Sequence, residues 1–200
     1  MDLIERGCAI REDGLSRCGW CVGDPAMRLY HDTEWGVPLR DDRALFARLM
    51  LECFQAGLSW QTILRKRENF DRAFHGWDPV RIAGYDDADV ARLLGDPGIV
   101  RNRLKVAGAI RNARGYLAIE REHGSFARYV WRFVGDEPRV ARPRARHLGE
   151  LAPNTDASDA LSKALRGYGF TFVGSTICYA FMESAGLVDD HLADCFRATG

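Results

Sequence analysis

The sequence predicts an all-α fold, and three observations carry that prediction. Most segments between turn signals repeat their apolar residues at helical spacing. Ser, Thr or Asp residues stand ahead of those segments as caps. Alternating runs of the β type are missing, apart from the short Phe170-Thr171-Phe172-Val173.

Taken in order, residues 1–17 are mixed and charged, with no clear period, and read as an N-terminal extension. Cys18-Gly-Trp-Cys21 opens the ordered part, and Gly23-Asp24-Pro25 signals a turn before a short helix over Ala26 to Tyr30. Asp41 or Asp42 caps a helix to about Ala56, with Leu45, Phe46, Leu49, Met50 and Cys53 as its buried stripe. Ser59 caps a second, with Trp60, Ile63 and Leu64 inward and Arg65 to Glu68 outward. Asp78-Pro79 and Asp86 start two short helices, the latter ending near Leu94.

Gly95-Asp96-Pro97-Gly98-Ile99 makes a tight connection to a long amphipathic helix from about Val100 to Glu122. Val106, Ile110, Ala113 and Leu117 line one side of it, while Arg101, Arg103 and Lys105 are assigned to the polar side. Ser125 caps the next helix. Residues 135–154 hold three prolines and an arginine-rich run, and read as an exposed connection. Thr155, Asp156 or Ser158 caps a helix through Leu165, and Ser175 to Ala185 forms a compact apolar one. Asp189 caps a closing turn that carries His191 and Cys195.

The bulk numbers narrow the function. A formal net charge of zero argues against a whole-protein electrostatic grip on nucleic acid, though not against a local basic face. No apolar run is long enough to span a membrane, and the first residues lack a signal-peptide core, so a cytoplasmic protein without a membrane partner is expected. Six cysteines at irregular spacing then read as free thiols or metal ligands.

Two constellations carry chemistry. His191-x3-Cys195 would share one face of a helix, which suits two ligands of a tetrahedral ion. Cys18 with His31, or Cys18 with Cys21, would supply the other two, and thiolate with imidazole favours zinc. The plainer reading is a surface histidine and a buried thiol.

The second constellation is Glu52 with Gln55, Trp60, Trp35 and Tyr30. Glu52 lies at the border of an apolar stripe, where a carboxylate is partly desolvated. Against this stands a surface pair with Arg48, one helical turn earlier, worth little. The turn at Gly98 and the residues Arg101, Arg103 and Lys105 could hold a phosphate through backbone N–H groups and charge. A solvated inter-helix turn is the commoner meaning.

Several segments also match a known family: Arg17-Cys18-Gly19-Trp20, Tyr30-His31-Asp32-Thr33-Glu34-Trp35-Gly36-Val37-Pro38, Gln55-Ala56-Gly57-Leu58-Ser59-Trp60 and Lys66-Arg67-Glu68-Asn69-Phe70. To these add residues 157–165 and Phe172-Val173-Gly174-Ser175-Thr176-Ile177-Cys178-Tyr179. From about Arg17 to Cys195 the chain resembles the bacterial DNA-3-methyladenine glycosylases of the constitutive type I class. The resemblance implies a helix–hairpin–helix DNA glycosylase domain over 18–195, of two helical lobes, with a short tail over 196–200.

It implies a structural zinc on Cys18, His31, His191 and Cys195, which decides against Cys21. It puts the pocket glutamate at Glu52. It puts the base-binding aromatics at Tyr30 and Trp60, with Trp20 and Trp35 in the same motifs and Gln55 beside them. DNA contacts would fall around Gly98, Arg101 and Arg103. The implied partner is double-stranded DNA carrying an alkylated purine, met by a monomer. The chain departs from the family in its N-terminal extension, in Cys53-Phe54 and in its arginine-rich 139–147 segment.

The implied activity is monofunctional: base flipping, then hydrolysis of the glycosidic bond of a base already weakened by its own positive charge. No aspartate stands in an obvious general-base position downstream of the hairpin, and no lysine nucleophile is evident. The alternatives are a catalytic zinc hydrolase and a non-enzymatic, zinc-stabilised helical DNA-binding module.

Overall fold

A computed structural model of the chain describes residues 7–10, 13–140 and 142–198, without the side chain of Ile10. A hairpin of β1 (Cys8–Ile10) and β2 (Ser16–Cys18) leads into a single 3-10 turn over Gly19–Cys21. Then come α1 (Pro25–Thr33), α2 (Asp42–Gln55) and α3 (Trp60–Ala73). Next follow α4 (Pro79–Ala83), α5 (Asp87–Gly95), α6 (Arg103–His123) and α7 (Phe126–Trp131). The chain closes with β3 (Arg139–Val140), α8 (Asp156–Gly167), α9 (Ser175–Ser184) and β4 (Val188–Asp189).

The caps do what their chemistry dictates. Asp24, Asp41, Ser59, Asp78, Asp86, Asn102, Ser125 and Thr155 each accept a hydrogen bond from an amide in the first turn that follows. The core gathers the apolar faces of α2, α6, α7, α8 and α9 with an aromatic stack of Phe54, Phe70, Phe74 and Trp77. A smaller cluster, with Cys18, Leu192 and Cys195 at its centre, joins the two ends of the chain.

Five expectations change. First, the described part of the 1–17 extension, read without a clear period, carries a strand and most of a hairpin. Arg17 is only 3% exposed, and its guanidinium bonds both Asp13 and Asp32. Residues 196–198 are tied to the hairpin: the Phe196 amide donates to Ser16 O at 2.8 Å, and its half-exposed ring lies 6.1 Å from that of His31.

Second, Phe170 to Val173 is a loop. The buried side chain of Asn112 accepts from the Thr171 amide at 2.7 Å and donates to its carbonyl at 3.1 Å, as a neighbouring strand would. Third, α6 begins at Arg103, capped by Asn102, and not at Val100.

Fourth, Lys105 is turned inward and 8% exposed. Its ammonium donates to Phe54 O and Ala56 O at 2.9 and 2.6 Å, satisfying carbonyls at the end of α2. Fifth, the 135–154 connection is partly structured. β3 pairs in parallel with β4, and Arg144 makes a two-pronged ion pair with Asp189 at 3.1 and 2.7 Å.

Candidate functional site

α1 organises the site because neighbouring residues leave it in different directions. Tyr30 and His31 are both buried on this one helix. Tyr30 enters an aromatic cavity, and His31 enters the cluster that joins the chain ends. The stretch after α1 is locked against the end of α9. The Gly36 and Leu39 amides donate to Glu183 O and Ala185 O at 3.1 and 3.0 Å. A Cβ on Gly186, whose φ is 70°, would collide with the backbone of Val37 and Pro38.

The cavity measures about 250 Å³ and is walled by Trp20, Tyr30, Trp35, Trp60 and Met27, with Glu52, Gln55 and Glu183 as its polar groups. The Tyr30 and Trp60 rings lie 5.2 Å apart, and Trp20 sits 5.3 Å from Trp35. All six residues expected to bind the base are therefore brought together: Glu52, Gln55, Tyr30, Trp20, Trp35 and Trp60. The indole N–H of Trp60 is buried without a partner.

Glu52 is 3% exposed, and burial pushes its carboxyl up to about 7, against the opposing pull of a Ser184 hydrogen bond and the Arg48 charge. The surface pair with Arg48 does not form. Arg48 instead donates to Tyr30 Oη at 2.8 Å, to Ser184 O at 3.2 Å and to Glu34 at 3.2 Å. Glu34 also takes a 2.6 Å bond from Arg67.

The sequence reading missed Glu183, Met27 and Ala180 in the cavity wall. Glu183 carried the signal that found Glu52: a carboxylate inside an apolar helical run, Phe181-Met182-Glu183.

On the other side of α1, donor atoms of Cys18, His31 and Cys195 lie within 4.8 Å of one another. Cys195 Sγ is 3.4 Å from His31 Nε2. The His191 ring lies 5.2 Å from the His31 ring and nearly perpendicular to it, and its Nε2 is buried without a partner. Both histidines turn Nδ1 to a carboxylate at 2.8 Å, His31 to Asp32 and His191 to Asp189. Arg17 braces Asp32 as Arg144 braces Asp189.

Two thiols and the His31 Nε2 converge, with the His191 Nε2 nearby but outside that group, and these donor types suit a soft ion such as zinc. Cys21 also stands outside the group, its thiol donating to Cys18 O at 3.1 Å. No helix runs through His191 and Cys195, so they share no helical face. Gly36 makes room for His191: a Cβ there would come within 2.6 Å of the imidazole.

The turn between α5 and α6 is held by its own hydrogen bonds. The Gly98 amide is taken by Asp96 Oδ1 at 2.7 Å, and the Gly98 carbonyl receives Lys66 and Asn69. Arg101 and Arg103 remain exposed beside it.

The family model described as methyladenine glycosylase matches residues 20–198. This chain belongs to the methyladenine glycosylase family. The DNA-3-methyladenine glycosylase 1 of Escherichia coli K12 is 50% identical over 181 residues, 90% of this chain and 96% of that one.

A solved 3-methyladenine DNA glycosylase I superposes on this methyladenine glycosylase with a TM-score of 0.88 at 50% identity, covering 92% of this chain and 100% of the other. A second, a variant in complex with 3-methyladenine, does so with a TM-score of 0.87 at 38% identity, over 92% and 98% of the two chains. Among the described residues, no helix of this methyladenine glycosylase is long and apolar enough to cross a membrane.

Proposed function

We propose that the aromatic cavity beside α1 is where this chain excises 3-methyladenine from alkylated DNA. The chain is a DNA-3-methyladenine glycosylase of base-excision repair, a hydrolase of N-glycosidic bonds. Its cavity supports the placement by one observation: aromatic rings surround a buried carboxyl that makes no ion pair among the described residues. Such a box suits a flat, positively charged purine, held by its faces through cation–π attraction and by its edge through Glu52.

The lesion must leave the duplex to reach that box, so the enzyme flips it. A base alkylated at N3 while still bonded through N9 carries a fixed positive charge, which makes it a good leaving group. The protein then has little protonation to perform. Tyr30 and Trp60 form one aromatic wall for the base, Trp20 and Trp35 another, and Gln55 lies beside the edge that Glu52 reads. Arg48 holds the Tyr30 hydroxyl and keeps that wall in place. Water attacks the sugar without a covalent enzyme intermediate, so the reaction is monofunctional.

α5, the turn at Gly98 and α6 serve as the helix–hairpin–helix grip on double-stranded DNA, with Arg101 and Arg103 against phosphates. Cys18, His31, His191 and Cys195 would hold one structural zinc, whose part would be to cross-link the two ends of the domain next to the cavity rather than to do chemistry. The working unit is a monomer.

The test is release of free 3-methyladenine from methylated DNA by the wild type and by Trp60→Ala. Wild type should release the base, and the variant should lose at least ~10²-fold in rate, since stacking and positioning are lost together. A Trp60→Ala enzyme with undiminished release would place the reaction elsewhere. A covalent enzyme–DNA adduct trapped by borohydride would refute the monofunctional course.

A further inference from the structure

The cavity holds a second carboxyl for which the mechanism above has no use. Glu183 sits near the end of α9, in a helix that packs against α2, and lines the same cavity as Glu52. Its backbone is fixed, because its carbonyl accepts from both Gly36 and Gly186 at 3.1 Å. Its side chain is half-buried and takes part in no ion pair among the described residues. Nor does any lysine, arginine or histidine line the cavity among the described residues. Arg48, the cation nearest to hand, is spent on Tyr30, Ser184 and Glu34.

Two carboxyls that share a poorly hydrated box resist ionising together. Burial first, then Asp190 and then Glu52, holds the Glu183 carboxyl well above the usual carboxylate range. A guest with a fixed positive charge removes that penalty. A neutral guest does not.

We propose that Glu183 is a specificity-determining residue: with Glu52 it makes a doubly acidic, aromatic receptor that captures the flipped base by its positive charge. This rests on the cavity being the base site. The chemistry of the lesion makes the role distinctive. Before cleavage the base is cationic. When the glycosidic bond breaks, its electron pair returns to N9, the base leaves neutral and the positive charge passes to the sugar. A carboxylate aimed at the base therefore stabilises the bound substrate more than the transition state. Its loss should raise KM without lowering kcat.

The experiment pairs two ligands that differ in charge. 3,9-Dimethyladeninium keeps the fixed charge of the lesion, with a methyl group in place of the sugar. Free 3-methyladenine is its neutral counterpart at pH 7.5. Binding of each is followed by tryptophan fluorescence in wild type, Glu183→Gln, Glu183→Asp and Glu52→Gln, with release kinetics on methylated DNA alongside. Glu183→Gln should weaken 3,9-dimethyladeninium by about tenfold and 3-methyladenine by less than about twofold. It should raise KM on DNA with kcat retained, and Glu183→Asp should restore most of the preference for the cation.

Equal weakening of both ligands, or a fall in kcat at unchanged KM, would overturn the assignment. So would an unchanged Glu183→Gln while Glu52→Gln binds poorly, and in that case the cavity remains the base site. If neither variant alters binding or release, the base site itself lies elsewhere and this role falls with it.

Discussion

The two sides of α1 handle buried polar groups in opposite ways. On the side of His31, each imidazole Nδ1 is backed by a carboxylate, and each carboxylate by an arginine. Asp32 stands behind His31 with Arg17 behind it, and Asp189 stands behind His191 with Arg144 behind it. On the side of Tyr30, the charges are left without opposites. Glu52 and Glu183 share a cavity with no cation in its wall, and the Trp60 N–H has no partner. A region built to stay shut satisfies its own groups. A region built to receive a guest leaves them for the guest to satisfy, at some expense in stability.

The sharpest way to break that contrast is Glu52→Gln. At DNA concentrations below KM, 3-methyladenine release should slow by ~10²-fold, about the worth of one charged hydrogen bond to the base edge. Stability should move the other way. The folded Glu52 carboxyl sits at about 7, above the ordinary 4.5. Between those values the folded protein keeps a proton that the unfolded chain gives up. Stability from this group therefore falls as pH rises through that window. Glu52→Gln should remove the slope and gain on the order of 3 kcal/mol at pH 8. Urea denaturation at pH 5 and pH 8 measures it. A variant less stable than wild type at pH 8 would show that Glu52 belongs to the satisfied side after all.

Cys195→Ser probes the other side. It should lower stability by roughly 4 kcal/mol, and the unfolding midpoint by roughly 10 °C, with loss of bound zinc. Below the new midpoint, 3-methyladenine release should continue. A variant that keeps its stability and its activity without zinc would refute the metal clasp. One that stays folded but is inactive would point to a catalytic metal.

The smallest effects separate the two lysine and arginine roles around the α5–α6 turn. Lys105→Met should cost about 2 kcal/mol by leaving the Phe54 and Ala56 carbonyls unpaired, with the salt dependence of DNA binding unchanged. Arg103→Gln should leave stability within about 0.5 kcal/mol and reduce the slope of log affinity against log salt by about 0.9. Reversed outcomes would return Lys105 to the phosphate face.

The sequence by itself determined the helices, because caps and apolar periodicity are local. Asp41, Ser59, Asp86, Ser125 and Thr155 start helices where their side chains predict. The aromatic and carboxylate motifs likewise named most of the cavity wall, Glu52 included. Only the tertiary structure decided which way single polar residues turn. Lys105 shares its spacing with Arg101 and Arg103, yet the open carbonyls of α2 draw it inward. Arg48 is one turn from Glu52, yet Tyr30 and Ser184 hold it elsewhere. Glu183 reaches the cavity only because α9 lies on α2, a long-range packing that no local pattern encodes. Spacing suggested a shared helical face for His191 and Cys195. They lie in a non-helical segment instead, and Gly36 leaves room for the His191 imidazole.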